Sequence, residues 1–307
     1  MYVAQSGIFA LGTGSHSYLE FDLHTPGEGQ ELTLVQLIAG LGEPRMTTGG
    51  VNLVVGFRPS LWASVAPEDA PEGVTDFEEP VRGPDGFTMP ATQHDLWVWA
   101  ASHAYDTVFD VAREAITALA PLAHLATEIA GWTYKDSRDL TGFIDGTKNP
   151  SLADAPEVAL IADGARGAGG SVLLIQQWIH NAPAFEALSQ EEQEKVMGRT
   201  KQASIELPEE VSGQTSHVSR TTIEENGVEV HIFRRNSPFG TATSHGTMFI
   251  GFSADQRRLS RMLARMAGAE DGIRDALTRY TTPVTGSYYF VPSIEALRKF
   301  APPTPDD

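Results

Sequence analysis

The order in which strand-like and helix-like runs succeed one another limits this chain to few architectures. Residues 95–100 (Asp95-Leu96-Trp97-Val98-Trp99-Ala100) are dense in aromatic and branched side chains, the composition of a strand. Residues 17–22 alternate polar and apolar and also read as a strand. Residues 52–57 and 171–176 are short apolar runs of the buried-strand type, and 229–234, 248–252 and 286–291 complete the set. Helical spacing follows groups of strands and does not alternate with them one for one. Asp106 reads as the N-cap of an amphipathic helix with Val108, Val111, Ala112, Ala115, Ile116 and Leu119 at helical spacing, and with Pro121 kinking or restarting it. Residues 184–201 read as a polar helix anchored by Phe185, Leu188 and Val196. Ser253, with Gln256 three positions on, reads as the capping box of a helix that buries Leu259, Met262, Leu263 and Met266. Residues 68–86, rich in Pro, Glu, Asp and Gly, read as a surface loop. Each half therefore runs strands, helix, strands, helix. This is the α+β pattern, and the element order reads as one unit used twice, with a boundary near residues 135–150.

Composition narrows the chemistry. The 307-residue chain has no cysteine, which excludes disulfides, thiolate nucleophiles, zinc–thiolate sites, iron–sulfur clusters and a Cys-ligated haem. Any metal must be held by His or carboxylate, or arrive inside a cofactor. A formal charge of −18 disfavours nucleic acid and anionic membranes as partners, since no basic field exists to displace counterions. No apolar run approaches the roughly 18 residues of a membrane span, and no signal segment opens the sequence, so the expected location is cytoplasmic. The Pro-rich acidic residues 301–307 read as a frayed tail. Arg199, Lys201, Arg220, Arg234 and Arg235 fall in one third of this acidic chain, which suggests a buried anionic ligand.

Three polar residues stand out from this background. Asp145 lies in Gly142-Phe143-Ile144-Asp145-Gly146-Thr147, where flanking glycines permit a tight turn and close approach to a ligand. His217 lies in Thr215-Ser216-His217, and Arg234 opens Arg234-Arg235-Asn236-Ser237-Pro238-Phe239-Gly240. Each signal alone has a plain structural reading: a turn Asp, a satisfied His, a solvated strand end. A Ser-His-Asp hydrolase is disfavoured because no Gly-x-Ser-x-Gly elbow is present. A bare metal site is disfavoured because no His pair at ligand spacing accompanies His217. A haem site uses all three: one His as iron ligand, a carboxylate to shuttle a peroxide proton, and a guanidinium to stabilise developing negative charge.

With these residues in view, the sequence resembles the dye-decolorising peroxidases, in particular the bacterial class of short cytoplasmic enzymes. The family's Gly-x-x-Asp-Gly signature stands at Gly142–Gly146, its Thr-Ser-His segment at Thr215–His217, and its Arg-x-Asn-x-Pro-Phe-Gly run at Arg234–Gly240. Met197-Gly198-Arg199-Thr200-Lys201 and Thr285-Gly286-Ser287-Tyr288-Tyr289-Phe290 also resemble family segments. The resemblance implies two ferredoxin-like domains, each an antiparallel sheet packed with helices, at 1–140 and 141–307, with haem b, one per chain, held mainly by the second. It implies Asp145 as the distal acid–base residue, Arg234 as the distal cation and Asn236 as a distal hydrogen-bonding partner, with His217 as iron ligand. Glu229 is expected to hydrogen-bond the proximal imidazole, since five positions along a regular strand separate it from Arg234 and place the two on opposite faces. Arg199 is expected at a haem propionate. The implied reaction reduces hydrogen peroxide by way of compound I and oxidises a small organic reductant, dye-like or phenolic, and a homo-oligomer is expected. Trp132, Tyr134, Trp178, Tyr280, Tyr288 and Tyr289 are candidates for relaying electrons to a buried haem. The rival readings on the same fold are a haem carrier or store and a porphyrinogen-oxidising or iron-removing protein.

Overall fold

A computed structural model describes residues 2–40 and 50–302; the Pro-rich acidic tail past residue 302 lies outside the described residues. The first half contributes strand β1 (Ser15–Leu23), helix α1 (Glu28–Gly40), strands β2 (Asn52–Phe57) and β3 (Leu96–Ser102), helix α2 (Tyr105–Leu119) and strand β4 (Ala123–Trp132). The second half contributes strand β5 (Ser171–His180), helices α3 (Gln190–Met197) and α4 (His217–Thr221), and strands β6 (Phe233–Arg234), β7 (Ser237–Gly240) and β8 (His245–Ser253). Helix α5 (Gln256–Ala267) and strands β9 (Thr281–Pro283) and β10 (Ser287–Val291) follow.

Strands of both halves join in one sheet, ordered β6-β8-β7-β4-β1-β3-β2-β10-β5-β9. An additional β8–β5 pairing closes it into a ring. Within the first half the spatial order is fourth, first, third, second strand; the second half repeats that order in reverse as β7-β8-β5-β10. The two seams between halves are narrow, with Gly131 opposite Phe239 at one and Phe57 opposite Phe290 at the other. A glycine sits at each seam. A Cβ on Gly131 would run into Ser237 Oγ, and one on Gly56 would come within 2.9 Å of Tyr289 Cβ.

Pleating explains why these strands read as near-continuous apolar runs. Trp97 and Trp99 point into the ring with Tyr18, Leu173, Ile175 and Phe252, whereas Leu96 and Val98 point outward into a cluster with α1 and α2. On β5, Leu173 and Ile175 face the ring while Val172 and Leu174 pack beneath α5. Both faces are covered, so apolar side chains dominate both.

Several local expectations change. Helix α2 starts at Tyr105 with Ala104 at its N-cap, leaving Asp106 in the first turn. Pro121 does not restart the helix; the chain leaves it at Leu119 and enters β4, which the sequence reading passed over along with α1. The 184–201 helix is broken into Ala182–Glu186 and α3, because Ser189 and Glu192 form a capping box that opens α3. Helix α5 is capped by Asp255, whose carboxylate accepts from Arg257 N–H at 2.9 Å, while Gln256 reaches away to the backbone of Thr75. The expected 229–234 strand is two pieces: Val228–Val230, in a hairpin with Ile223–Glu225, and β6.

Candidate active site

The loop after β4 is braced before it reaches Asp145. Arg138 donates to the carbonyls of Gly142 (2.8 Å) and Lys201 (3.1 Å), and Asp145 N–H donates to the Ser137 carbonyl at 3.1 Å. Gly142 and Gly146 take φ of 87° and 73°, the left-handed region where glycine carries no Cβ penalty. Asn149, four residues beyond Asp145, clamps β6: its Nδ2 donates to the Arg234 carbonyl at 2.8 Å and its Oδ1 accepts from Arg234 N–H at 2.9 Å. The acid loop and the strand bearing Arg234 are thereby one assembly.

One cleft brings the expected residues together: Asp145, Arg234, Asn236, His217 and Arg199 all line it. The Asn236 amide is oriented by its surroundings. Its Oδ1 accepts from Ile250 N–H at 3.1 Å, so its Nδ2 is the atom turned to Asp145 Oδ1, 3.3 Å away. Gly146 N–H also donates to Asp145 Oδ1, at 2.7 Å. Burial pushes the Asp145 carboxyl up; Arg234 opposes this, Asp139 adds to it, the two hydrogen bonds oppose it, and the net is a rise above the ordinary carboxylate range. Burial likewise lowers Arg234 against the pull of Asp145, but from a starting point high enough that the guanidinium stays charged. Arg234 Nε is buried without a hydrogen-bond partner among the described residues, an orphan donor on the cleft wall. Arg235, the next residue, turns the other way. It donates to the carbonyls of Gly7, Ile8 and Ala10 and lies over the Trp99 ring, 4.9 Å from its centroid.

His217 is the first residue of α4, whose N-cap Ser216 accepts from Ser219 N–H. Its Nδ1 lies 2.7 Å from Asp275 Oδ2, and Asp275 is fully buried, with Oδ1 capping a short turn through Leu277 N–H. A carboxylate only accepts, so Nδ1 carries the hydrogen and Nε2 is left with a free lone pair. This corrects the expectation for Glu229. The break after Val230 turns that carboxylate to Lys148 Nζ (2.8 Å) and towards His231 (3.8 Å), not to His217. Arg199 reaches the cleft wall, but its guanidinium already donates to the Ser204 carbonyl and to Glu206, each at 2.9 Å.

Sequence reasoning missed Asp275, which is 58 positions from its partner and in no shared motif. It assigned no role to Asn149. It also passed over Asp139, Thr247 and His180, which line the same cleft and are joined to one another. Of the aromatic candidates, Tyr288 and Tyr289 are core residues, and the Tyr289 hydroxyl donates to the buried Glu20 at 2.6 Å. Trp178 is buried on the cleft wall. Trp132 and Tyr134 are half-buried and line a second cleft that shares Asp145, Asn236 and Arg234 with the first.

Comparison with known proteins places this site in a class of enzymes. Residues 41–133 match the family model for the N-terminal part of the Dyp-type peroxidases, and residues 136–296 match that for the C-terminal part. The chain belongs to the Dyp-type peroxidase family. The dye-decolorizing peroxidase of Mycobacterium tuberculosis is 32% identical over 311 residues, spanning 99% of this chain and 92% of that protein. The one from Brevibacterium linens is 35% identical over 252 residues, 80% of this chain and 68% of that protein. Among solved structures, DypB from Rhodococcus jostii RHA1 superposes with a TM-score of 0.89 at 33% identity, covering 96% of this chain and 97% of that one. Variants of that protein have been solved in complex with haem.

Proposed function

We propose that this chain is a haem peroxidase that reduces hydrogen peroxide and oxidises small organic donors, with His217 as the iron ligand and Asp145, Arg234 and Asn236 as the peroxide-handling group. The observation that carries the reading is the pairing of His217 with buried Asp275 on the cleft that also holds Asp145 and Arg234. The donor set suits a haem. His217 Nε2 is free to ligate, the wall includes Phe143, Ile144, Phe249, Met262 and Leu277, and the orphan Nε of Arg234 lacks a partner that a polar ligand atom would supply. Arg199 and Lys148 are the cations on the wall suited to propionates.

Haem bound there supplies the iron that withdraws electrons from the organic donor and passes them to peroxide. Asp275 keeps the His217 imidazole in one tautomer and makes Nε2 a stronger electron donor. Asp145, as carboxylate, takes the proton from one peroxide oxygen and returns it to the other, so that the departing fragment leaves as water. Arg234 holds positive charge beside the oxygen on which negative charge develops as the O–O bond breaks. Asn236 fixes the Asp145 oxygen that the Gly146 N–H also holds, leaving the second carboxylate oxygen for the proton. A carrier would use His217 alone and gives no role to the Asp145–Arg234 pair.

The repeated spatial order of four strands in each half supports reading the halves as two ferredoxin-like units, joined at residues 133–136 where the two family segments meet. The test of function is direct. Haem-loaded protein is mixed rapidly with hydrogen peroxide and a phenolic donor. Turnover that is lost in His217→Ala and in Arg234→Leu supports the reading; haem uptake with no peroxide reaction would return it to a carrier.

A further inference from the structure

Asp139 lies on the cleft wall, yet the peroxide chemistry above does not use it. Its carboxylate accepts from the Thr247 hydroxyl and, at 2.8 Å, from Thr141 N–H. Thr247 Oγ1 in turn lies 3.1 Å from His180 Nε2. The hydrogen bonds that the Asp139 carboxylate accepts from Thr247 and Thr141 favour its anionic form against burial. An anionic carboxylate can only accept, so the Thr247 hydroxyl hydrogen points at Asp139. The hydroxyl oxygen is then the acceptor, and His180 Nε2 must carry the hydrogen. The three residues form a line with one sense of direction: Nε2–H to Oγ1, then O–H to Oδ2.

The line has an outer end. Only 6% of the His180 side chain is exposed, but its ring stands edge-on to that of His245, with centroids 6.3 Å apart. His245 is half-buried and bonds the carbonyl of Thr241 in an exposed turn at 3.1 Å. The titratable groups facing His180 are Asp139 from the loop and His245 from the start of β8.

We propose that His180, Thr247 and Asp139 form a proton relay that supplies the Asp145 side of the cleft from the His245 side. The inference rests on the peroxidase reading. Reducing one hydrogen peroxide to two waters consumes two electrons and two protons. A donor oxidised at a distance supplies electrons alone, so the protons must reach the cleft by another route. In each pass the His180 Nε2–H bond breaks as a new Thr247 O–H forms. The old Thr247 O–H breaks as Asp139 Oδ2–H forms. The other ring nitrogen of His180 takes a proton from the His245 side, so the imidazole stays neutral but is left as the Nδ1–H tautomer; exchange of that hydrogen to Nε2, with the Thr247 hydroxyl turning back towards Asp139, resets the line for the second proton. Asp139 then yields its proton to Asp145 or to water in the cleft.

The experiment compares Thr247→Val with Thr247→Ser in full-length protein. With zinc protoporphyrin in place of haem, nitrogen-15 histidine NMR reads the His180 tautomer. Nε2–H is expected in wild type and Thr247→Ser, and is lost in Thr247→Val. In the haem enzyme, turnover with ferrocyanide, which gives electrons only, is expected to fall about a hundredfold in Thr247→Val. Turnover with a hydroquinone, which brings its own proton, falls far less, and Thr247→Ser restores both. Equal losses with both donors would show a structural role and overturn the relay, as would wild-type ferrocyanide turnover in Thr247→Val or an Nδ1–H tautomer in wild type. Failure of the peroxidase reading looks different: wild type itself would not react with peroxide, whatever the tautomer.

Discussion

Two carboxylates on one cleft are driven apart in acidity: Asp145 up, Asp139 down. Opposite consequences follow. Asp145→Asn should slow the reaction with peroxide by about 10²–10⁴-fold, the usual worth of a positioned proton acceptor, measured by rapid mixing. In wild type that rate should fall on acidification at a pH above the ordinary carboxylate range, because the raised group is protonated earlier. A raised carboxyl stabilises the fold while protonated, and that contribution is lost as pH rises through its folded value. Asp145→Asn should therefore not lower Tm at neutral pH and is expected to raise it. Asp139 has the reverse sign: its contribution is present above its unfolded value and is lost as pH falls through the folded one. Asp139→Asn should lower stability at neutral pH by about 1–3 kcal/mol, the penalty for breaking a buried hydrogen-bonded set, read from thermal or denaturant melts. Asp275→Asn should weaken haem binding about 10–100-fold in a titration of apo-protein, while Glu229→Gln, whose carboxylate faces Lys148, should not. Asp145, His217 and Arg234 were legible because glycine, proline or a Thr-Ser pair marks each local turn. Asp275 was not, because nothing local to Arg274-Asp275-Ala276 records a contact made across the fold.

Among the secondary-structure elements, legibility followed burial. Residues 52–57 were read with the bounds of β2, since a strand covered on both faces is apolar throughout. β4 was missed: Ala, Leu and Glu at 123–130 favour helix, and the pairing of nine β1 residues along it overrides that preference. The Glu229 expectation failed for a related reason. Alternation across five positions assumes an unbroken strand, and the hairpin with Ile223–Glu225 ends at Val230. Gly131 gives an element-scale test. Its missing Cβ lets β7 approach β4, with Tyr18 Cε2 at 3.1 Å from the position a Cβ would take. Gly131→Ala should overpack that seam and lower stability by about 1–3 kcal/mol, with the cleft-side haem spectrum less affected than Tm.

Across the whole molecule, charge and closure matter most. A formal charge of −18 surrounds a cleft whose own polar residues include Arg234, Arg199 and Lys148. Association with a cationic donor should weaken as salt rises, and association with an anionic dye should strengthen, because the acidic field attracts one and repels the other. Initial rates at subsaturating donor over a series of ionic strengths would check this; identical slopes for both donors would exclude steering by net charge. The α+β class was legible from element order, but the joining of both halves in one sheet was not, since each seam rests on a single residue pair far apart in sequence. That joining has a bearing on self-association. An open sheet invites another copy to add on through its unpaired amides, whereas each of the eight strands of the closed ring has a neighbour on either side, and among the described strands of this sheet only the short β6 and β9 have one. With so little sheet edge to share, copies of this molecule that assemble are left chiefly with side-chain contacts on the exterior, which selection can adjust one residue at a time without disturbing the hydrogen-bonded frame.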